Sequence, residues 1–239
     1  MTLSSLLVLL IVSLILLWPM LKISLTRFAR WLPGSVRYPI TVLLFWPTVL
    51  INRVFCYFFP SKRRLWDRVH PTIVLGSVPC LAADVDALVG KEHVTSFVNL
   101  CREWDSNAAL YKRRGLSSAH APTIDFDAPT IEETLRCVDF IHERAKKGES
   151  VFVHCKAGRG RSVCIVLAYL VLHEGLSPKE ADARIRKARP HISKKWHLPL
   201  LTEIARRAEA NATEDSQLPS RAESPTLEQE MTPLTRGGT

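Results

Sequence analysis

The chain has 239 residues, room for one domain of ordinary size plus appendages, and six Cys that form no C-x-x-C pair and no Cys/His metal spacing. Its formal net charge of +9 is unevenly placed: eight of the 32 Lys and Arg fall in residues 1–66, where there is no Asp or Glu, leaving 24 basic against 23 acidic residues in the remainder. These features argue against a disulfide scaffold or a zinc module, and they direct the basicity toward an anionic membrane surface or an import signal rather than toward nucleic acid.

Thr2 to Leu21 is an uncharged run of mainly Leu, Val and Ile, long enough to cross a hydrocarbon core of about 30 Å as a helix. A secretory signal peptide is the alternative. No basic region precedes the run, however, and Trp18-Pro19-Met20-Leu21 has no small-residue cleavage site, so a retained anchor is expected. Lys22 to Arg37 is basic and carries Trp31, which suits the headgroup level. Tyr38 to Phe59 is apolar again but is interrupted by Pro39, Pro47 and Arg53 and followed by Lys62-Arg63-Arg64. A full crossing would leave one basic cluster on the wrong side of the bilayer. A re-entrant or in-plane segment is therefore expected, with a helical hairpin as the alternative. Residues 1–60 are read as a membrane-anchoring region, with a helix over about 2–21 and a second apolar segment over about 38–59.

Residues 61–210 read as an α/β domain. Thr72 to Leu75 and Val94 to Leu100 are predicted strands, with Leu81 to Val89 a short helix between them. Thr130-x-x-Glu133 is a capping box opening a helix with Ile131, Leu135, Val138, Ile141 and Ala145 on one face, stopped near Lys147-Gly148. Val151 to Val153 is a short buried strand, and the apolar run from Val163 to Val171 is a helix. Ser177-Pro178-Lys179-Glu180 is a second capping box with Pro at the first helical position, its helix ends by Pro190, and a last helix runs roughly from His197 to Ala208. Residues 211–239, rich in Ser, Thr, Pro, Glu and Gln without apolar periodicity, are expected to be disordered.

The chemistry concentrates between that buried strand and the helix after it, in His154-Cys155-Lys156-Ala157-Gly158-Arg159-Gly160-Arg161-Ser162. A free thiol has a pKa of about 8.5, and only its thiolate is a good nucleophile. First-turn amides, loop N–H groups and the cations Lys156, Arg159 and Arg161 all favour the anion at Cys155. The same donors suit a tetrahedral oxyanion, Gly158 and Gly160 let the backbone curl, and the planar fork of Arg161 can hold two phosphate oxygens. A core thiol in a solvated basic loop is the plainer alternative. A Walker A reading fails, because Arg161 stands where that motif requires Lys. His154 is read as a strand-end residue orienting the loop, and Cys137 and Cys164 as reduced core thiols on helices.

This nine-residue stretch is the C-x5-R signature of the cysteine-dependent protein tyrosine and dual-specificity phosphatases. The resemblance implies their α/β fold, a central mixed sheet flanked by helices with the catalytic loop at the carboxyl end of the Val151 to Val153 strand. It implies Cys155 as nucleophile through a phosphocysteine, Arg161 on the phosphate, and Lys156, Ala157, Gly158, Arg159 and Gly160 completing the substrate loop. Ser162 would support the departing thiolate, or cap the following helix. A general acid is implied about thirty residues upstream, where Asp125 is the first choice and Asp127 the second; either also reads as a turn carboxylate. No metal or other cofactor is implied.

Leu65-Trp66-Asp67-Arg68-Val69, Thr72 to Pro79, Val98 to Trp104 and Arg189-Pro190-His191-Ile192-Ser193 further resemble the mitochondrial-type phosphatases that act on phosphatidylglycerophosphate, over about residues 63–207. That resemblance implies a phospholipid substrate at an anionic membrane, with no nucleic-acid partner: the matrix face of the mitochondrial inner membrane in a eukaryote, or the cytoplasmic face of the plasma membrane in a bacterium. The chain departs from that family at Gly160, where a second Ser is common. Lys156 and Arg159 also match the loop cations of the tensin-homologue phosphoinositide phosphatases. A protein phosphatase and a non-catalytic phosphate-binding scaffold remain alternatives, and oligomeric state is left open.

Overall fold

The computed structural model describes residues 31–105, 107–193 and 199–207. The expected helix over 2–21 and the tail over 211–239 lie outside the described residues. Five strands, β1 (Trp66–His70), β2 (Ile73–Ser77), β3 (Val94–Cys101), β4 (Ser117–Thr123) and β5 (Ser150–Cys155), form one sheet in the order β1-β2-β5-β3-β4. β2, β5, β3 and β4 run parallel, and only β1 is antiparallel, on the edge beside β2. The helices in chain order are α1 (Gly34–Leu43), α2 (Phe45–Phe58), α3 (Ala82–Glu92), α4 (Ala108–Arg113), α5 (Ile131–Lys146), α6 (Arg161–His173) and α7 (Pro178–Ala188), and residues 199–207 are helical too.

Crossovers between parallel strands place helices on both faces of the sheet. The larger core joins Leu75, Val98, Val153 and other sheet residues to Cys137 and Ile141 of α5, Ile165 and Val166 of α6 and Ile185 of α7. The smaller one packs Val74, Phe97 and Phe152 against Val85 and Leu88 of α3 and Tyr111 of α4, with the Phe97 and Tyr111 rings stacked at 4.1 Å. β5 is the central strand, so Cys155, its last residue, emerges at the carboxyl edge of the sheet between the ends of β2 and β3.

Both capping boxes form. Thr130 Oγ1 accepts from the Glu133 amide at 3.1 Å, and Ser177 Oγ from the Glu180 amide at 3.4 Å. The expected strands and short helix are present, with ends shifted by at most three residues. Three elements were not anticipated. β1 (Trp-Asp-Arg-Val-His) turns Asp67 and Val69 inward, and its inward carboxylate breaks the apolar alternation that marks a strand. β4 is mostly Ser, Ala and Thr, held by pairing with β3, and α4 has only six residues.

The apolar segment around residues 38–59 resolves into α1 and α2, joined at Leu44 with a bend of 55°. Among the described residues no single helix is long and apolar enough to cross a membrane. Pro47 sits in the first turn of α2, where its missing N–H costs no helical hydrogen bond. The boundary expected at residue 61 is crossed by packing: Phe45 and Val49 belong to the larger core, and Arg53 makes a bidentate ion pair with Asp84 at 2.8 and 2.9 Å.

Candidate active site

The loop from Cys155 to Gly160 is shaped by donors outside it. The Lys156 carbonyl accepts from Val78 N at 3.4 Å, Ala157 from Arg189 Nη2 at 3.3 Å, Gly158 from Arg189 Nε at 2.8 Å and Arg159 from Ser193 N at 2.8 Å. Because each peptide is planar, pulling four successive carbonyls outward turns the N–H groups of residues 157–160 toward the centre of the loop. Gly158 has φ +62°, and a Cβ there would lie 2.3 Å from the Gly76 carbonyl carbon, so only glycine fits.

Cys155 sits at the base of this cradle, almost fully buried. Burial pushes its thiol pKa up, but the Arg161 guanidinium, the Ser162 hydroxyl and the backbone N–H groups of Ser162 and Arg159 outweigh burial, and the net direction is down. Ser162 Oγ donates to Cys155 Sγ at 3.3 Å. The other five cysteines are all pushed up, with burial the leading cause, Cys137 to about 11. One cysteine of six is therefore poised as a nucleophile.

Arg161, the first residue of α6, is fully buried. Its Nη1 donates to the Thr123 carbonyl at 2.6 Å and Glu103 Oε2 at 2.8 Å. Nε and Nη2 have no hydrogen-bond partner among the described residues, and Nη2 lies 3.2 Å from Asp125 Oδ1. One edge of the guanidinium is thus fixed to the scaffold, and the other is a bidentate fork for an anion.

Asp125 follows the end of β4 and points into the cradle, paired with Lys156 and Arg161. Burial alone would raise its pKa, but those two cations hold it down at about 2. Asp127 points elsewhere: its Oδ2 accepts from Arg37 Nη2 at 2.6 Å. Between them Phe126 has φ +73°, a left-handed conformation costly for a bulky side chain, with Lys156 Nζ 5.8 Å from its ring centroid. Of the remaining predicted loop residues, Arg159 is tied down through Nε to the His191 carbonyl at 2.7 Å. His154 is fully buried, and burial first, then His120 and Arg161, hold its pKa near 3, so it stays neutral.

Two elements of the site went unassigned in the sequence. Glu103, its side chain wholly buried, binds Arg161 through Oε2 and accepts from the Asp125 amide through Oε1 at 2.8 Å, joining the fork to the loop that carries Asp125. Arg189, also fully buried, bonds Asp67 of β1 while its other nitrogens shape the cradle. The available signals were a carboxylate just past the apolar end of β3 and an Arg at the end of a basic run before Pro190, neither of which names a partner 58 or 122 residues away.

The dual specificity phosphatase catalytic domain family matches residues 73–206. The chain is 39% identical over 153 residues to the phosphatidylglycerophosphate phosphatase PTPMT1 of Arabidopsis thaliana, covering 62% of this chain and 44% of that protein, so it spans less than half of that relative's length. It is 32% identical over 182 residues to the phosphatidylglycerophosphatase and protein-tyrosine phosphatase 1 of Homo sapiens, covering 72% of this chain and 90% of the other. A crystal structure of PTPMT1 in complex with PI(5)P superposes with a TM-score of 0.58 at 31% identity, over 62% of this chain and 99% of that one. With the family matched over more than half its length, the chain belongs to the dual specificity phosphatases, a family of phosphoric monoester hydrolases.

Proposed function

We propose that this chain is a membrane-associated, cysteine-dependent lipid phosphatase that converts phosphatidylglycerophosphate to phosphatidylglycerol. The observation that carries the chemistry is the convergence of Cys155, the only cysteine with a lowered pKa, the open fork of Arg161 and the carboxylate of Asp125 on one cradle. The lipid substrate rests on the names of the relatives and on the acid-free basic N-terminal region.

In the proposed reaction the phosphoryl oxygens take the inward N–H groups and the Arg161 fork, displacing the Asp125 carboxylate from its cations. Deprived of Lys156 and Arg161 and facing a dianion, Asp125 rises from about 2 and takes up a proton. The Cys155 thiolate then attacks phosphorus, the P–O bond to the glycerol breaks, and Asp125 gives its proton to the departing alkoxide. In the second half Asp125 accepts a proton from water, whose oxygen attacks the phosphocysteine. The S–P bond breaks, and the Ser162 hydroxyl stabilises the thiolate that returns.

The test presents the full-length chain with phosphatidylglycerophosphate in vesicles, a series of phosphoinositides and a phosphotyrosine peptide, and compares kcat/KM. A tenfold preference for phosphatidylglycerophosphate, equivalent to about 1.4 kcal/mol of transition-state binding, is the expected result. If the peptide is the best substrate and vesicles do not reverse the order, the lipid reading is lost to a protein phosphatase.

A further inference from the structure

Helix α1 is inside out. Its polar residues Arg37 and Thr41, one turn apart, are buried against the catalytic domain, while Val36, Ile40 and Leu43 face outward. α2 continues the pattern. Phe45, Val49, Asn52 and Cys56 face the domain, whereas Leu50 and Tyr57 lie on the opposite side, 63% and 80% exposed, and the half-exposed Trp46 sits between the two faces. Among the described residues the two adjoining helices thus present an apolar outer surface, with an aromatic residue toward each end of α2.

Charge indicates what covers it. From Trp31 to Trp66 there is no Asp or Glu, and exposed Lys62 and Arg64 follow the end of α2. An apolar face with aromatic residues and an adjoining cationic rim fits the headgroup boundary of an anionic bilayer, with the helices lying in its plane.

The inner side of the same pair touches the catalytic loops. Arg37 holds Asp127 two residues beyond Asp125, and the two ion pairs bracket the strained Phe126. The Arg102 guanidinium lies 4.7 Å from the Tyr38 ring centroid, and the Trp46 and Trp104 rings meet at 5.7 Å, on either side of Glu103 in sequence. Those contacts reach both segments that place the acid, the backbone around Asp127 and the Glu103 that binds the Asp125 amide.

We infer that α1 and α2 form an interfacial element that docks on an anionic lipid surface and, through the Arg37–Asp127 ion pair, steadies the acid loop while docked. Arg37 is on this view a positioning residue, not a catalytic one. The inference deepens the lipid-phosphatase reading and rests on it for the substrate, but its docking half is measurable without turnover.

The experiment uses the full chain. Hydrogen exchange over residues 34–58 is followed with vesicles of phosphatidylcholine alone and of phosphatidylcholine containing phosphatidylglycerol. Protection with the anionic vesicles that is lost in a Leu50→Glu/Tyr57→Glu variant is the expected result. Protection that instead grows with protein concentration in the absence of lipid assigns the face to a second copy of the chain and overturns docking, as does no protection at all. In kinetics the same double variant should lose about tenfold or more in kcat/KM on substrate in vesicles, since two apolar side chains no longer enter the interface, with a soluble aryl phosphate unaffected. Arg37→Ala should lower kcat on an alkyl phosphate by about tenfold or more, displacement of a catalytic group by about 1 Å costing on the order of 10²-fold. It should spare an aryl phosphate whose phenolate leaves unaided, and the charge swap Arg37→Asp/Asp127→Arg should recover most of the loss. Equal losses on both substrates, or no recovery in the swap, would show that Arg37 serves stability alone and would sink the coupling. Failure of the lipid-phosphatase reading would appear separately, as poor turnover of every lipid with the vesicle protection intact.

Discussion

Helices α2 and α6 are near twins in sequence and opposites in structure. They have 14 and 13 residues, both are dominated by Leu, Ile, Val and aromatic or small apolar residues, and each carries a single Arg. Every residue of α6 from Arg161 to Leu170 is buried, because it follows the central strand, lies across the sheet and is covered by α5 and α7. Among the described residues α2 has a protein neighbour on one side only, so four of its residues are buried and its outer stripe is left bare. Apolar composition reports that a helix avoids water; whether protein or another medium does the covering depends on its neighbours.

The sharpest break lies in the loop from Cys155 to the start of α6. Cys155→Ser is expected to abolish turnover on any phosphomonoester while leaving phosphate binding measurable by calorimetry, and Arg161→Lys to damage both, since a point charge cannot replace the fork. Full activity of the Ser variant on an aryl phosphate would end the mechanism.

Next in size is Asp125→Asn, expected to slow alkyl phosphate hydrolysis by about 10²–10⁴-fold, with an aryl phosphate far less affected. Asp127→Asn, which only weakens the ion pair to Arg37 of α1, should cost about tenfold or less by the same comparison. The reverse ranking transfers the acid role to Asp127.

Arg189 tests whether the cradle is held from outside. Arg189→Ala leaves the buried Asp67 carboxylate with only the exposed Arg64 as an ion-pair partner, and urea unfolding should show a loss of up to about 3–5 kcal/mol together with weaker phosphate binding. An unchanged midpoint would mean that Arg64, which also pairs with Asp67, suffices.

The comparison of helices is tested directly by truncation. Ile165→Ala in α6 should cost about 2–5 kcal/mol through a cavity, whereas Leu50→Ala on the outer stripe of α2 should stay within about 0.5 kcal/mol in the absence of lipid. Equal losses would mean that α2 is covered by protein in solution.

The smallest effect concerns acid stability. Asp125 has its pKa lowered from an ordinary 3.8 to about 2 in the folded protein, so the stability it contributes is fully present above the ordinary value and is lost as pH falls toward about 2. Asp125→Asn should therefore flatten the stability profile of the protein between about pH 4 and 2, read from urea midpoints.

By itself the sequence determined the parts governed by neighbours along the chain. The strand just before Cys155, the glycine-bearing turn, the six-residue step to Arg161 and both capping boxes are local, so spacing and residue type were enough to read them. Asp125 was legible only through a family resemblance, and what the fold adds is where the two carboxylates point, Asp125 into the cradle and Asp127 to Arg37. Glu103, Asp67 and Arg189 were out of reach for the same reason that hid β1. Their partners lie far along the chain, and a buried charge in a sequence looks like any surface charge until folding brings its counter-ion beside it. The helix pair shows the converse limit. Its apolar residues announced burial, but only the packed structure separated the face that joins the core from the face that does not, because which side of a helix is covered depends on contacts that no local pattern records.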